Sequence, residues 1–379
     1  MHGKDVEPMG YEIIRGPFML LETVGMLHKF VNGITFQSLL NRKKFLVGEG
    51  SVVSDRMVRC MNRLQEVMDE VCKDLNAQDP VLQRFFREIE LDCEHVCLAQ
   101  LMIYSFCTLR KPGFRENAKE VCAIWRQLQE SGAWIHPASV DELIFSKEEE
   151  SPGDLFDQIS NLVYPGDFQM KLYGALRDFD RTMMELTSYI EPLANRLEGV
   201  YQKESRLFDE VESYWREVFQ RTPPLEFLAA SAGETAVIGA GEQTLVAVSL
   251  MNSNWLIYGM AGSLKNCCGY NQMFIGSGVM STSLIRRRSN DLEAMGTILK
   301  TLGDKKRLEI LQRLAKERSY CHELAESMGV DPGNMSRNLA ALHHYGFLRQ
   351  EREPFRCYYQ TDVEAFCRFL QMVESIVIS

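Results

Sequence analysis

The sequence predicts a mainly α chain. A large helical N-terminal domain carries a small antiparallel β portion, and a C-terminal unit of short helices closed by a β-hairpin follows. Three observations carry this reading. Apolar residues recur at helical spacing through most of residues 16–220. After Pro223-Pro224 the texture changes to short apolar runs separated by Gly and Asn. Beyond residue 290, capping residues, a glycine turn and an Asp-Pro pair mark one short helix after another. With 379 residues the chain exceeds one ordinary core. We divide it into a helical sensor or assembly domain at 1–222, a β-rich portion of the same region at 223–285, and a separate unit at 290–379.

In order, Gly16-Pro17 opens a helix carrying Phe18, Leu21, Val24 and Leu27. Ser54-Asp55 precedes an amphipathic helix with Met57, Met61, Leu64, Val67 and Val71 on one face. Asp79-Pro80 supplies a capping carboxylate and a first-turn proline, and predicts a long helix through Leu109, stopped by Lys111-Pro112-Gly113. A further helix covers Glu116–Gln129, and the acidic stretch 147–153 reads as a solvated loop. Two more helices lead to Gln220, the last with a stripe of Leu207, Val211, Trp215 and Phe219. Thr235–Ile238, Gln243–Leu250 and Trp255–Met260 then read as short strands, expected to pair antiparallel.

In the C-terminal unit, Leu292, Met295, Ile298 and Leu302 mark a first helix. Asp304 caps a second, with Leu308, Ile310, Leu311 and Leu314 facing inward. Ser319 is expected to cap a third, short helix that ends at Gly329, where a left-handed backbone is required and glycine adopts it at least cost. Asp331-Pro332 starts a fourth, burying Met335, Leu339 and Leu342. Phe347–Arg352 and Arg356–Gln360 form a hairpin about Glu353-Pro354-Phe355, and Val363, Phe366, Phe369 and Val373 mark a last helix. This order is that of a winged helix-turn-helix.

The fourth helix has the side chains a DNA-reading helix needs. Gly333, Asn334, Ser336, Arg337 and Asn338 are small, polar or basic and lie near its N-terminal end. Asn pairs with adenine, and Arg with guanine or phosphate. At the wing, Arg352 and Arg356 are placed to meet phosphate or the minor groove, with Arg349 nearby. Charge is unevenly spread: residues 285–379 hold 15 Lys/Arg and 13 Asp/Glu, a charge of +2, leaving −12 on the rest of a chain whose total is −10. An acidic front that avoids DNA suits such a layout.

The runs Leu299-Lys300-x-Leu302-Gly303-Asp304-x-x-Arg307-Leu308-x-Ile310-Leu311, Glu323-Leu324-Ala325-Glu326-x-x-Gly329, Ser336-Arg337-Asn338-Leu339 and Gly346-Phe347-Leu348 together resemble the ArsR-type winged-helix transcriptional regulators. The resemblance covers about 291–378, and the layout is similar to larger members with an extra N-terminal domain. It implies binding to double-stranded DNA, dimerisation through 291–302 and 362–378, and repression as the sign of control. Asn338 stands where the family usually has His, which leaves the base preference open.

Family members that sense metals use a Cys-x-Cys at the start of the third helix, where this chain has Tyr320-Cys321-His322, or His with Asp/Glu on the last helix, which here offers Asp362, Glu364 and Glu374 but no His. Neither set is complete, so no metal is expected at either place. Cys93, His95 and Cys97, with cysteines four apart on one expected helix face, and Cys321-His322 are the candidates for an alternative metal- or thiol-responsive repressor. A further alternative places ligand-binding or enzymatic activity in the N-terminal domain, on a degenerate winged helix. The turn Val237–Glu242 lacks the third glycine of a nucleotide-binding loop. No catalytic constellation is visible, so the chain is read as a regulator without enzyme activity or cofactor, responding to an unidentified small-molecule effector. No apolar run reaches the ~18 residues of a membrane span, and Met1–Asp5 lacks an export pattern. A cytoplasmic location with the eleven cysteines mostly reduced is therefore expected.

Overall fold

The computed structural model describes residues 10–39, 55–91, 94–136, 142–147, 153–232, 243–253, 255–259, 270–277, 298–352, 357–363, 365–367 and 369–370. The chain is mainly helical, and two separate apolar clusters hold it together. One gathers residues from Ile13 to Ile275, the other from Leu302 to Phe369.

The first cluster is built around α1 (Met19–Val31), buried along nearly its whole length. It packs against α2 (Asp55–Cys72), α3 (Pro80–Phe86), α4 (Leu98–Tyr104), α5 (Phe114–Glu130) and the long α8 (Phe179–Lys203). Before α8 come α6 (Leu155–Ser160) and α7 (Gly166–Arg177), and after it α9 (Ser205–Arg221) and α10 (Pro224–Ala232). A helix this apolar is a core helix, yet it also buries Glu22, Thr23, His28 and Lys29. The Glu22 carboxylate accepts from Met251 N (2.8 Å), Leu250 N (3.2 Å) and the Tyr201 hydroxyl (2.8 Å). It thereby ties α1 to the sheet.

The expected helix from Pro80 to Leu109 is corrected. Asp79 caps as predicted, its Oδ1 accepting from Val81 N at 2.8 Å, but α3 ends at Phe86. The chain then turns through a hairpin, β2 (Ile89–Leu91) and β3 (Glu94–Val96), before α4 begins. The cause lies far away in sequence. The Asn32 amide donates to Phe86 O and accepts from Glu88 N, so the backbone can leave the helix with its polar groups satisfied.

The small sheet is also corrected, from antiparallel to mixed. Its order is β1–β6–β8–β7, with β1 (Tyr11–Ile14), β6 (Thr244–Ser249), β7 (Leu256–Gly259) and β8 (Asn271–Gly276). β1 runs parallel to β6, β6 runs parallel to β8, and only β7–β8 is antiparallel. β8 is buried at every residue and β6 at all but one, as expected of strands covered on both faces. Neither β1 nor β8 was read as a strand from the sequence. The strand expected at Thr235–Ile238 lies outside the described residues.

A second hairpin, β4 (Trp134–His136) with β5 (Ile144–Ser146), lies between α5 and α6. Its alternation has a consequence for the site. Phe145 points into a ring cluster with Phe106 and Trp125, whereas its neighbour Ile144 points the opposite way and packs on the second apolar cluster.

That second cluster is the C-terminal unit. Residues 298–302 are helical, followed by α11 (Lys305–Leu314), β9 (Ser319–Tyr320), α12 (Cys321–Met328), α13 (Pro332–His344), β10 (Leu348–Arg352) and β11 (Cys357–Thr361). The three strands pair in the order β10–β11–β9, all antiparallel. Helical residues follow from 363. This is the predicted winged helix-turn-helix, with two local differences. Leu308 is 45% exposed rather than inward-facing, and Ser319 lies in β9, so Tyr320 occupies the N-cap of α12 with no side-chain cap.

Candidate nucleic-acid interface

Local chemistry fixes the start of α13. Gly329 ends α12 at φ +59°, and Asp331 caps α13 by accepting from Asn334 N at 3.0 Å. Pro332 occupies the first turn, where its missing N–H has no partner to lose. Met335, Leu339 and Leu342 bury the helix on the domain core. The Cys321 thiol at the head of α12 reaches Pro332 O (3.8 Å), linking the two helix starts.

The five residues expected to read DNA divide into three kinds. Asn334 and Arg337 are exposed. Asn338 is engaged at both ends of its amide: Oδ1 accepts from Arg307 Nε (3.0 Å), and Nδ2 donates to Asn334 O (2.9 Å). It fastens α13 to α11, so a direct base contact would require it to give up these bonds. Gly333 and Ser336 are buried, Ser336 to 3% exposure. A Cβ on Gly333 would stand 3.1 Å from the capping Asp331 Oδ1, and 3.3 Å from Asn161 O and 3.9 Å from Leu162 O, both on the N-terminal domain just past α6. Farther along the same face, Ala340 packs against the N-terminal core.

In the wing, Arg352 opposes Cys357 in the β10–β11 ladder. The tip with Arg356 lies outside the described residues, as does the basic stretch 286–288. Arg349 braces the base of the wing, its Nε donating to Asp362 Oδ2 at 3.1 Å. Asp362 also accepts from Ala365 N (2.8 Å), capping the last helix. Sequence reading missed Arg307 as the partner of Asn338, and it missed Ile144, Asn161 and Leu162 as neighbours of this unit. No local signal marks the last three.

The Cys93/His95/Cys97 alternative loses its geometric premise. Glu94–Val96 form a strand and Cys97 stands at the N-cap of α4, so His95 and Cys97 do not lie on one helix face. Cys93 lies outside the described residues. Cys97 is buried and donates its thiol to Gln100 Oε1 (3.3 Å), and burial pushes it up to about 12. Burial likewise raises Cys321 to about 12, with Cys357 and Asp331 adding to the shift. With their pKa raised by burial, both thiols are held protonated at neutral pH and are weak nucleophiles. Among the described residues no group of three or more His, Cys, Asp or Glu side chains is placed to hold a metal ion. No described helix is long and apolar enough to cross a membrane.

Residues 302–351 match the model of a helix-turn-helix domain family. No curated protein matches the chain, and no solved structure does. The chain thus carries a helix-turn-helix domain, a class of module whose second helix enters the major groove of DNA.

Proposed function

We propose that this chain is an ArsR-type, sequence-specific DNA-binding regulator of transcription, an effector-responsive repressor acting as a homodimer. The observation that carries the reading is α13. It is a capped helix at the domain surface presenting Asn334 and Arg337 at its N-terminal half, with a β wing beside it. The dimer is supported by exposed apolar side chains on the two helices the resemblance assigns to it: Leu299 (44%), Val363 (52%) and Leu370 (49%). Exposed Leu and Val side chains on both of those helices are what a second copy would cover. The N-terminal region, 1–222 with its β-rich portion at 223–285, is read as the sensor or assembly domain, without catalytic activity.

The test is selection of genomic fragments by the purified chain, followed by titration of the selected duplex at several salt concentrations. Selective binding that survives added salt while affinity falls is expected. An Asn334→Ala/Arg337→Ala variant should lose selectivity. Recovery of no enriched sequence would refute the reading.

A further inference from the structure

The face of α13 that lies against the N-terminal domain is part of the face that DNA would need. Residues 333, 336 and 340 recur at helical spacing on one side of the helix, beside the exposed Arg337 and away from the core-facing Met335, Leu339 and Leu342. Gly333 abuts the carbonyl oxygens of Asn161 and Leu162, at the end of α6. Ser336 is buried, and Ala340 rests on the N-terminal core. In the opposite sense, Ile144 of β5 packs on the winged-helix core.

A recognition helix enters the major groove with its N-terminal residues against base edges. The groove is about 12 Å wide and closes on the helix from both flanks. A helix whose second residue stands in van der Waals range of another domain's backbone has no room for the duplex on that side. The contacting groups are also the wrong ones for a bystander. They are backbone groups that cannot swing aside as a flexible side chain could, so the contact blocks that flank of the helix.

We propose that the N-terminal domain holds the recognition helix in an occluded position. DNA and the N-terminal surface at Asn161 and Leu162, whose docking Ile144 helps to hold, then compete for one face of α13, and release of that surface is the step an effector controls. This rests on the reading of α13 as the DNA-recognition helix. It gives the N-terminal domain a function in the absence of signal: it lowers the fraction of binding-competent molecules, and apparent affinity falls by that same fraction.

The experiment uses the full chain and a fluorescent pool of short random-sequence duplexes, titrated by anisotropy at low salt. Ile144→Ser and Ile144→Asp weaken the docking from the side that never meets DNA. Ile144 is half-buried at the edge of a hairpin that Phe145 and Ile135 anchor, so the fold survives both. Each variant should bind at least about tenfold more tightly than the parent chain. Adding Arg337→Ala should remove the gain. The gain with aspartate is the more telling, because a new negative charge alone would weaken DNA binding. In the parent chain, saturating DNA should speed amide exchange across 142–147 and 155–162. Equal affinities, with exchange there unchanged by bound DNA, would overturn occlusion and leave DNA recognition standing. If neither parent nor variants bind any duplex, the regulator reading falls and the occlusion with it.

Discussion

Replacing Lys29 with methionine should stabilise the N-terminal domain. Lys29 is buried on α1, its ammonium 5.8 Å above the Phe36 ring. Burial lowers its pKa from 10.5 to about 8, against the pull of Glu22 in the opposite direction. A folded-state value below the unfolded one means that folding carries a penalty while the amine is charged. The penalty is present in full below pH 8. It is relieved as pH rises from about 8 to 10.5, where the unfolded chain still binds a proton that the folded chain has released. At about 1.4 kcal/mol per unit, the whole interval is worth about 3 kcal/mol. Methionine matches the length of the lysine stem without the charge. It also takes the positive charge away from Glu22, whose pKa burial already raises despite bonds from Ser249, Met251, Tyr201 and Leu250. The net gain at pH 7 is therefore smaller than the whole interval, because Glu22 stays buried and loses that charge while keeping its four hydrogen bonds. All four tryptophans precede residue 256, so urea unfolding followed by their fluorescence reports this domain alone. The stability difference between variant and parent should narrow from pH 8 to 10.5. A variant less stable than the parent at pH 7, or a difference constant across that window, would refute the reasoning.

Other expectations follow from single contacts. Gly25→Ala places a methyl group onto the Asn252 carboxamide, which bonds Leu21 O, Ser249 Oγ and the Tyr104 hydroxyl. It should cost more than about 2 kcal/mol in the same unfolding assay, because buried polar partners are stranded as well as crowded. Asp331→Ala removes the cap of α13 and should cost about 1 kcal/mol, seen as faster amide exchange in the first turn of that helix. With its pKa near 12, Cys321 should resist iodoacetamide at pH 8 in the native chain while exposed Cys367 is modified, as read by peptide mass spectrometry. Rapid labelling of Cys321 would restore the thiol-sensor alternative.

The winged helix was legible because its signals are local. Asp304, Gly329 and Asp331-Pro332 each act on backbone within three residues, and the sequence states them directly. The N-terminal domain was less legible because its decisive contacts are distant. Asn32 ends α3 some 54 residues away, and β1 joins a sheet whose other strands begin at Thr244. The parallel pairing of β6 with β8 left little trace in the sequence: β8 opens on Asn271-Gln272, only Met273-Phe274-Ile275 is apolar, and its burial comes from partners distant in the chain.

The site itself shows a limit of a different kind. Gly333 and Ser336 were chosen because a helix entering a groove needs small and polar residues near its start. Docking against the carbonyls of Asn161 and Leu162 makes a similar demand: a Cβ at 333 would be tight against Asn161 O, and a small residue, Ala340, rests on the N-terminal core. One pattern satisfies both surfaces, so the pattern cannot say which surface a given conformation uses. If the two compete, the overlap is required. A helix optimised for DNA alone could carry longer side chains at 333 and 340, and those would end the docking that lets the N-terminal domain control it. Position 333 then separates the two roles. A side chain tolerated by the groove but not by the backbone of 161–162 would make DNA binding constitutive, whereas one rejected by both would abolish it.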